Sequence, residues 1–134
     1  MVEKNMFKQE GYELIGAAFE VYNEMGHGFL EEVYQECYEL ELNSRKIPFE
    51  TQPELPVYYK KSKIGKFYRP DLYLFSGIVV ELKAVKQLTD EHRAQLLNYL
   101  KASRKQVGYL INFGNAEKLE WERYITNQQD SFNH

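Results

Sequence analysis

Apolar positions recur at two different spacings along this chain, and the change of spacing divides it into elements. Phe7, Leu14, Ile15, Ala18, Phe19, Tyr22 and Met25 recur at helical spacing, which predicts a helix over about 6–25. Gly26-His27-Gly28 breaks it, because two glycines so close favour a turn. A second helix is expected over about 30–45. Leu30, Val33, Cys37 and Leu40 form an apolar stripe there, beside a face of Glu31, Tyr34, Tyr38 and Glu41. Glu31 and Glu32 suit the positive end of that helix. Ile47-Pro48 closes the helical region. Phe49 to Tyr59 reads as extended, with Pro53 and Pro56 marking bends or an edge strand, and Lys60 to Gly65 as a polar turn.

From Tyr68 to Lys83 the period shortens to two. Leu72 and Leu74 alternate with Asp71 and Tyr73, and Ile78, Val80 and Leu82 alternate with Val79, Glu81 and Lys83. A three-residue loop, Phe75-Ser76-Gly77, would place Gly77 in the left-handed region. Leu74 then faces Ile78, Leu72 faces Val80, and Asp71 falls opposite Glu81 on one face, with Lys83 a step further along it. A two-residue turn would send Asp71 to the other face.

Beyond the hairpin, Thr89 or Asp90 can cap a third helix to about residue 104. Leu96, Leu97 and Leu100 point inward there, and His92, Gln95 and Tyr99 share another face. Residues 106–113 read as a strand, 119–125 as a closing strand and 126–134 as a polar, frayed tail. The order predicts an α/β fold: a mixed central sheet flanked by helices, with the hairpin near its centre.

The 134 residues fit a single domain, 1–134, with its core over about 6–125. Hydrophobic residues at 43% and aromatics at 15% predict a folded chain. The net charge of −3 excludes a generally basic nucleic-acid coat, so such a partner needs a local patch or metal ions. Cys37 is the one cysteine, which rules out an internal disulfide and fits a small core residue in a reducing cytoplasm. No apolar run approaches membrane-spanning length, so no membrane partner is expected.

Two carboxylates and an amine on adjacent strands suit a divalent-metal hydrolytic site. Asp71 and Glu81 would supply oxygen ligands, a backbone carbonyl near Leu82 a third, and Lys83 would orient water or act as a base. Spacing alone leaves a cross-strand salt-bridge cluster equally open.

Pro70-Asp71 followed by Glu81-Leu82-Lys83 resembles the PD-(D/E)XK motif of the nuclease superfamily. Gly28-Phe29-Leu30-Glu31-Glu32-Val33-Tyr34 fits the G-x-x-E-x-x-Y signature of the GxxExxY protein family. Gln95-Leu96-Leu97-Asn98-Tyr99 fits the Q-x-x-x-Y motif of RecB-like and λ-exonuclease-like nucleases. The resemblance covers about 14–125 and implies a restriction-endonuclease-like core and Mg2+-dependent cleavage of nucleic acid, DNA before RNA, with Mn2+ able to substitute. It implies metal-binding roles for Asp71, Glu81 and Glu31, with Lys83 as the catalytic lysine. Gln95 and Tyr99 would position the strand or brace the site. Many RecB-like relatives carry an upstream histidine where this helix offers Glu31, and His27 reads as a loop residue.

Against these stand blander readings: Glu31 as a helix-end charge, Tyr34 as a packing residue that bonds Glu31, and Gln95 and Tyr99 as a polar helix edge. Lys60, Lys61, Lys63, Lys66 and Arg69 lead into the hairpin without an acidic residue among them. Lys86, His92, Arg93, Lys101, Arg104 and Lys105 surround the third helix, and both groups could follow a phosphate backbone. Tyr99, Tyr34, Arg69, His92 and Lys66 are therefore the expected substrate contacts. A catalytically silent module binding nucleic acid or a protein, and a hydrolase of smaller phosphate esters, are the alternatives. A domain this small is expected to act with a second copy or a protein partner.

Overall fold

The computed structural model describes residues 6–126. Its elements are α1 (Lys8–Met25), α2 (Glu31–Ser44), β1 (Phe49–Thr51), β2 (Leu55–Tyr59), β3 (Ser62–Tyr68), β4 (Leu72–Leu74), β5 (Ile78–Lys83), α3 (Asp90–Ser103), β6 (Val107–Asn112) and β7 (Glu120–Ile125). The five-stranded sheet has the order β1-β4-β5-β6-β7, with β5 at its centre. β5 runs parallel to β6 and antiparallel to β4, and β6 runs antiparallel to β7. The fold is thus the mixed α/β sheet expected from the pattern. Among the described residues no helix is long and apolar enough to cross a membrane.

Alternation along β5 splits the core in two. Ile78, Val80 and Leu82 pack with α1 and α2, while Val79 joins Leu96 and Leu100 of α3 on the opposite face. β6 is buried at every position, as a central strand covered on both faces must be. Asn112 ends it fully buried and replaces missing peptide partners. Its amide accepts from Val85 N and Gly114 N and donates to Val85 O and Glu120 Oε1. The link from β5 to α3 is anchored there.

Several expectations need correction. On α2 the buried residues are Tyr34, Tyr38 and Leu42, whereas Leu30 and Leu40 are 68% and 66% exposed. The tyrosines can face inward because each hydroxyl finds a carbonyl: Tyr34 donates to Gly26 O and Tyr38 to Leu14 O. Tyr34 therefore bonds the preceding turn, and not Glu31. On α3, Leu96 and Leu100 are buried but Leu97 is only partly so.

The stretch read as a polar turn is mostly strand. β2 and β3 pair as a separate antiparallel ribbon, and every residue of β3 before Tyr68 is exposed. With no buried face, that strand carries no alternating signal. In the hairpin loop, Phe75 and Ser76 take the left-handed conformation, at φ 55 and 52, and Gly77 N donates to Leu74 O. Gly77 is needed for space instead, since a Cβ there would lie 2.2 Å from the Phe7 ring. Of the predicted tail, Thr126 is buried and tied to Gln106 and Lys105; the remainder lies outside the described residues.

Asn112→Ala would leave several inward peptide groups without partners. It is expected to lower stability by at least ~2 kcal/mol in urea denaturation monitored by tryptophan fluorescence.

Candidate metal-dependent active site

The hairpin has the register that brings the acids together. Leu74 pairs with Ile78 and Leu72 with Val80, which leaves Asp71 opposite Glu81. Asp71 N donates to Glu81 Oε1 at 3.1 Å, and Leu82 N donates to Asp71 Oδ2 at 2.7 Å. Each carboxylate is thus steered by a peptide N–H of the other's strand. Their face is the one shared with α3, by alternation from Tyr73 and Val79.

Three residues not singled out from the sequence hold this pair. Tyr68, buried at the end of β3, donates its hydroxyl to Glu81 Oε2 at 2.5 Å. Gln35 donates to the Asp71 carbonyl at 3.0 Å, and Gln52 N donates to the same oxygen at 3.1 Å. Gln35 had a signal, standing one helical turn after Glu31. Tyr68 had only its place three residues before Asp71.

The Glu81 carboxyl is raised to about 7, by burial first, with the Tyr68 hydroxyl pulling it down and the Asp71 charge pushing it up. Burial also raises the Tyr68 hydroxyl, with the Glu81 charge adding to it. Glu31, in the first turn of α2, is raised by desolvation and by Asp71, with the Lys83 ammonium acting in the other direction. The charges of Asp71 and Lys83 therefore reach Glu31. The helix comes from the opposite layer of the sheet, however. Among the described residues no three His, Cys, Asp or Glu side chains gather closely enough to hold a metal ion. Asp71 and Glu81 are the pair in direct contact, and Glu31 lines the hollow beside Asp71.

Two carboxylates in mutual contact, one with its pKa raised by burial and further by the other's charge, favour either a bound proton or a cation. Each carboxylate retains accepting capacity beyond the bonds it makes. One or two carboxylates are the usual protein share of a Mg2+ site, water and phosphate supplying the rest, so the donor set fits such an ion. Beside Asp71 opens a hollow of about 410 Å3 lined by Leu30, Glu31, Glu32, Gln35 and Gln52.

The other expected contacts lie around the pair at different distances. Tyr99 stacks on Tyr68, with ring centroids 4.3 Å apart, and so reaches Glu81 through that ring. Gln95 is exposed on α3 and lines a separate hollow of about 600 Å3 with His92, Asn98 and Tyr99. His92 caps α3: its Nδ1 accepts from Thr89 N and its own N–H donates to Thr89 Oγ1. Arg69 is paired with Glu54, and Lys66 is exposed on β3. Tyr34 is corrected as a substrate contact. It is 0% exposed, stacks on Phe113 at 4.8 Å and ties down the α1–α2 turn.

Between pH ~4.5 and 7 the folded chain holds a proton on Glu81 that the unfolded chain releases, so this group's contribution to stability falls as pH rises through that window. Glu81→Gln is therefore expected to stabilise the metal-free protein at pH 8 by ~1–3 kcal/mol and to gain progressively less toward pH 5, in urea melts with EDTA. Equal effects at both pH values would contradict this assignment. Tyr68→Phe is expected to do the opposite at pH 8, removing a donor to the ionised Glu81 at a cost of ~1–3 kcal/mol, measured in the same melts.

No curated protein matches the sequence. Among solved structures, SSO0001 is similar with a TM-score of 0.56 and 15% identity, over 96% of this chain and 65% of that one. At that identity the likeness concerns the fold alone, and this chain spans less than two thirds of the solved chain's length. A family model described as the PD-(D/E)XK nuclease superfamily matches residues 8–124, a span that includes the hairpin, both flanking helical layers and all but the last residue of the closing strand. The chain belongs to the PD-(D/E)XK nuclease superfamily.

Proposed function

We propose that the protein is a Mg2+-dependent nuclease that hydrolyses phosphodiester bonds of nucleic acid, with DNA preferred to RNA. The observation that carries this reading is the Asp71–Glu81 pair, held together by Leu82 N, Asp71 N and the Tyr68 hydroxyl on the hairpin of a superfamily member. Asp71 and Glu81 would hold Mg2+, or Mn2+ in its place. Leu82 turns its N–H toward Asp71, and a strand residue's carbonyl points the same way as its N–H, so that carbonyl would be a further ligand. When bound, the cation lowers the pKa of a water and neutralises charge developing on a phosphate oxygen.

Lys83, one step along the face from Glu81, orients the attacking water and donates to the phosphate. Glu31, within reach of the Asp71 and Lys83 charges, completes the acidic wall of the hollow beside Asp71. Gln95 and Tyr99 guide the strand from α3, with Arg69, His92 and Lys66 at the rim. The Gly28–Tyr34 signature supports placement in the GxxExxY branch. A second copy or a protein partner would extend the grip on a duplex.

The alternative is a catalytically silent module that binds nucleic acid or a protein partner. Cleavage separates the readings. With labelled single- and double-stranded DNA and RNA, cutting is expected in Mg2+ or Mn2+ and not in EDTA. Asp71→Ala and Lys83→Ala are each expected to reduce it at least ~100-fold. Mn2+ titration followed by electron paramagnetic resonance is expected to show binding that Lys83→Ala retains and Asp71→Ala loses. Purified protein that binds no Mn2+ and cuts none of these substrates would sink the nuclease reading.

A further inference from the structure

The β2–β3 ribbon stands apart from the main sheet and packs on α3, and the surface where they meet has a composition the metal site does not require. A hollow of about 290 Å3 there is lined by Tyr58, Lys60, Asn98, Lys101 and Arg104. It shares Asn98 with the larger hollow that Gln95 and Tyr99 line. The two therefore adjoin along the exposed side of α3. At one end Tyr99 stacks on Tyr68, whose hydroxyl holds Glu81. At the other end stand the exposed lysines.

Arg104 fastens the two walls together. It ends α3 in the left-handed conformation, donates to the Lys60 carbonyl and lies 4.2 Å over the Tyr58 ring. The Lys60 and Lys101 side chains are both exposed beside it. In a chain of net charge −3, this local basic character is not a general property of the surface. Next to Lys60, the Tyr59 ring is 65% exposed, with the Lys60 ammonium 5.4 Å from its centre.

We propose that this groove between α3 and the β2–β3 ribbon is a track for one unpaired nucleic-acid strand, leading toward the Asp71–Glu81 pair. Lys60 and Lys101 meet its phosphates, and the exposed Tyr59 ring accepts a base. Base stacking on a protein ring requires a base that is not stacked within a duplex, so the aromatic component selects a single strand over paired DNA. The amide of Asn98, at the junction of the hollows, offers both a donor and an acceptor to a passing base or sugar. The inference deepens the nuclease reading by naming its substrate class, and it rests on that reading for the direction of the track.

Binding in EDTA, where no cleavage can occur, tests it by fluorescence anisotropy. The probes are a labelled oligothymidylate, an oligouridylate and a DNA duplex of the same length. Native protein is expected to bind at least one single strand more tightly than the duplex. The Lys60→Glu/Lys101→Glu double variant, with unchanged circular dichroism and urea midpoint, is expected to bind that strand at least ~10-fold more weakly. Its log–log salt slope should be shallower by about 1.4, for two lost phosphate contacts. Tyr59→Ala is expected to weaken single-strand binding and leave the salt slope unchanged.

Equal affinity for duplex and single strand, or undiminished binding by the double variant, would overturn the track. Cleavage in Mg2+ by a double variant that also binds like the native protein would remove the track and leave the nuclease reading intact. Groove-dependent binding without any cleavage would support the track and remove the nuclease reading.

Discussion

The packing together of two acids organises much of this molecule. Asp71 and Glu81 repel one another when both are ionised, and burial sharpens that repulsion. Their approach is tolerated because peptide N–H groups face both: Asp71 N on Glu81 and Leu82 N on Asp71. These donors exist only in one register of the hairpin, so the register and the acid pair support each other. A one-residue slip would turn Leu72 and Leu74 away from the face of Ile78 and Val80 as well as separating the acids. The hydrophobic core thereby carries much of the cost of holding two carboxylates together.

Around this pair the supports come from every layer. From the α2 side Gln35 holds the Asp71 carbonyl, and the chain beyond β1 supplies Gln52 N for the same atom. From the α3 side the stacked Tyr99 and Tyr68 rings place a hydroxyl on Glu81. Asn112 pins the segment that carries the chain from β5 to α3. Supports of this kind fix the geometry of the acid pair through packing and hydrogen bonds. Gln95 and Lys66 stand outside this scaffold, exposed on α3 and β3.

How much of this was legible in the sequence differed by element. The strict alternation from Leu72 to Leu82 allowed only one register once the loop length was set, so the Asp71–Glu81 meeting could be read directly. The α2 helix misled, because a periodic stripe of Leu30, Val33, Cys37 and Leu40 competes with one of tyrosines. Hydropathy cannot tell that Gly26 O and Leu14 O will receive the tyrosine hydroxyls. The β3 strand was invisible for a related reason: both its faces meet water, so selection for burial left no period to find.

What the sequence by itself determined was local in origin: the helix spans, the Thr89 cap, the break at Gly26 and Gly28, the hairpin register and the short motifs of the superfamily. Each depends on residues within a few positions of one another, where backbone geometry leaves few choices. Only the tertiary structure decided that Tyr68 holds Glu81, that Gln35 holds Asp71, that Glu31 lines a hollow beside Asp71, and that Tyr34 is sealed in the core. Those relations join residues from separate layers. They are set by how the helices and the ribbon pack on the sheet, which no local pattern encodes.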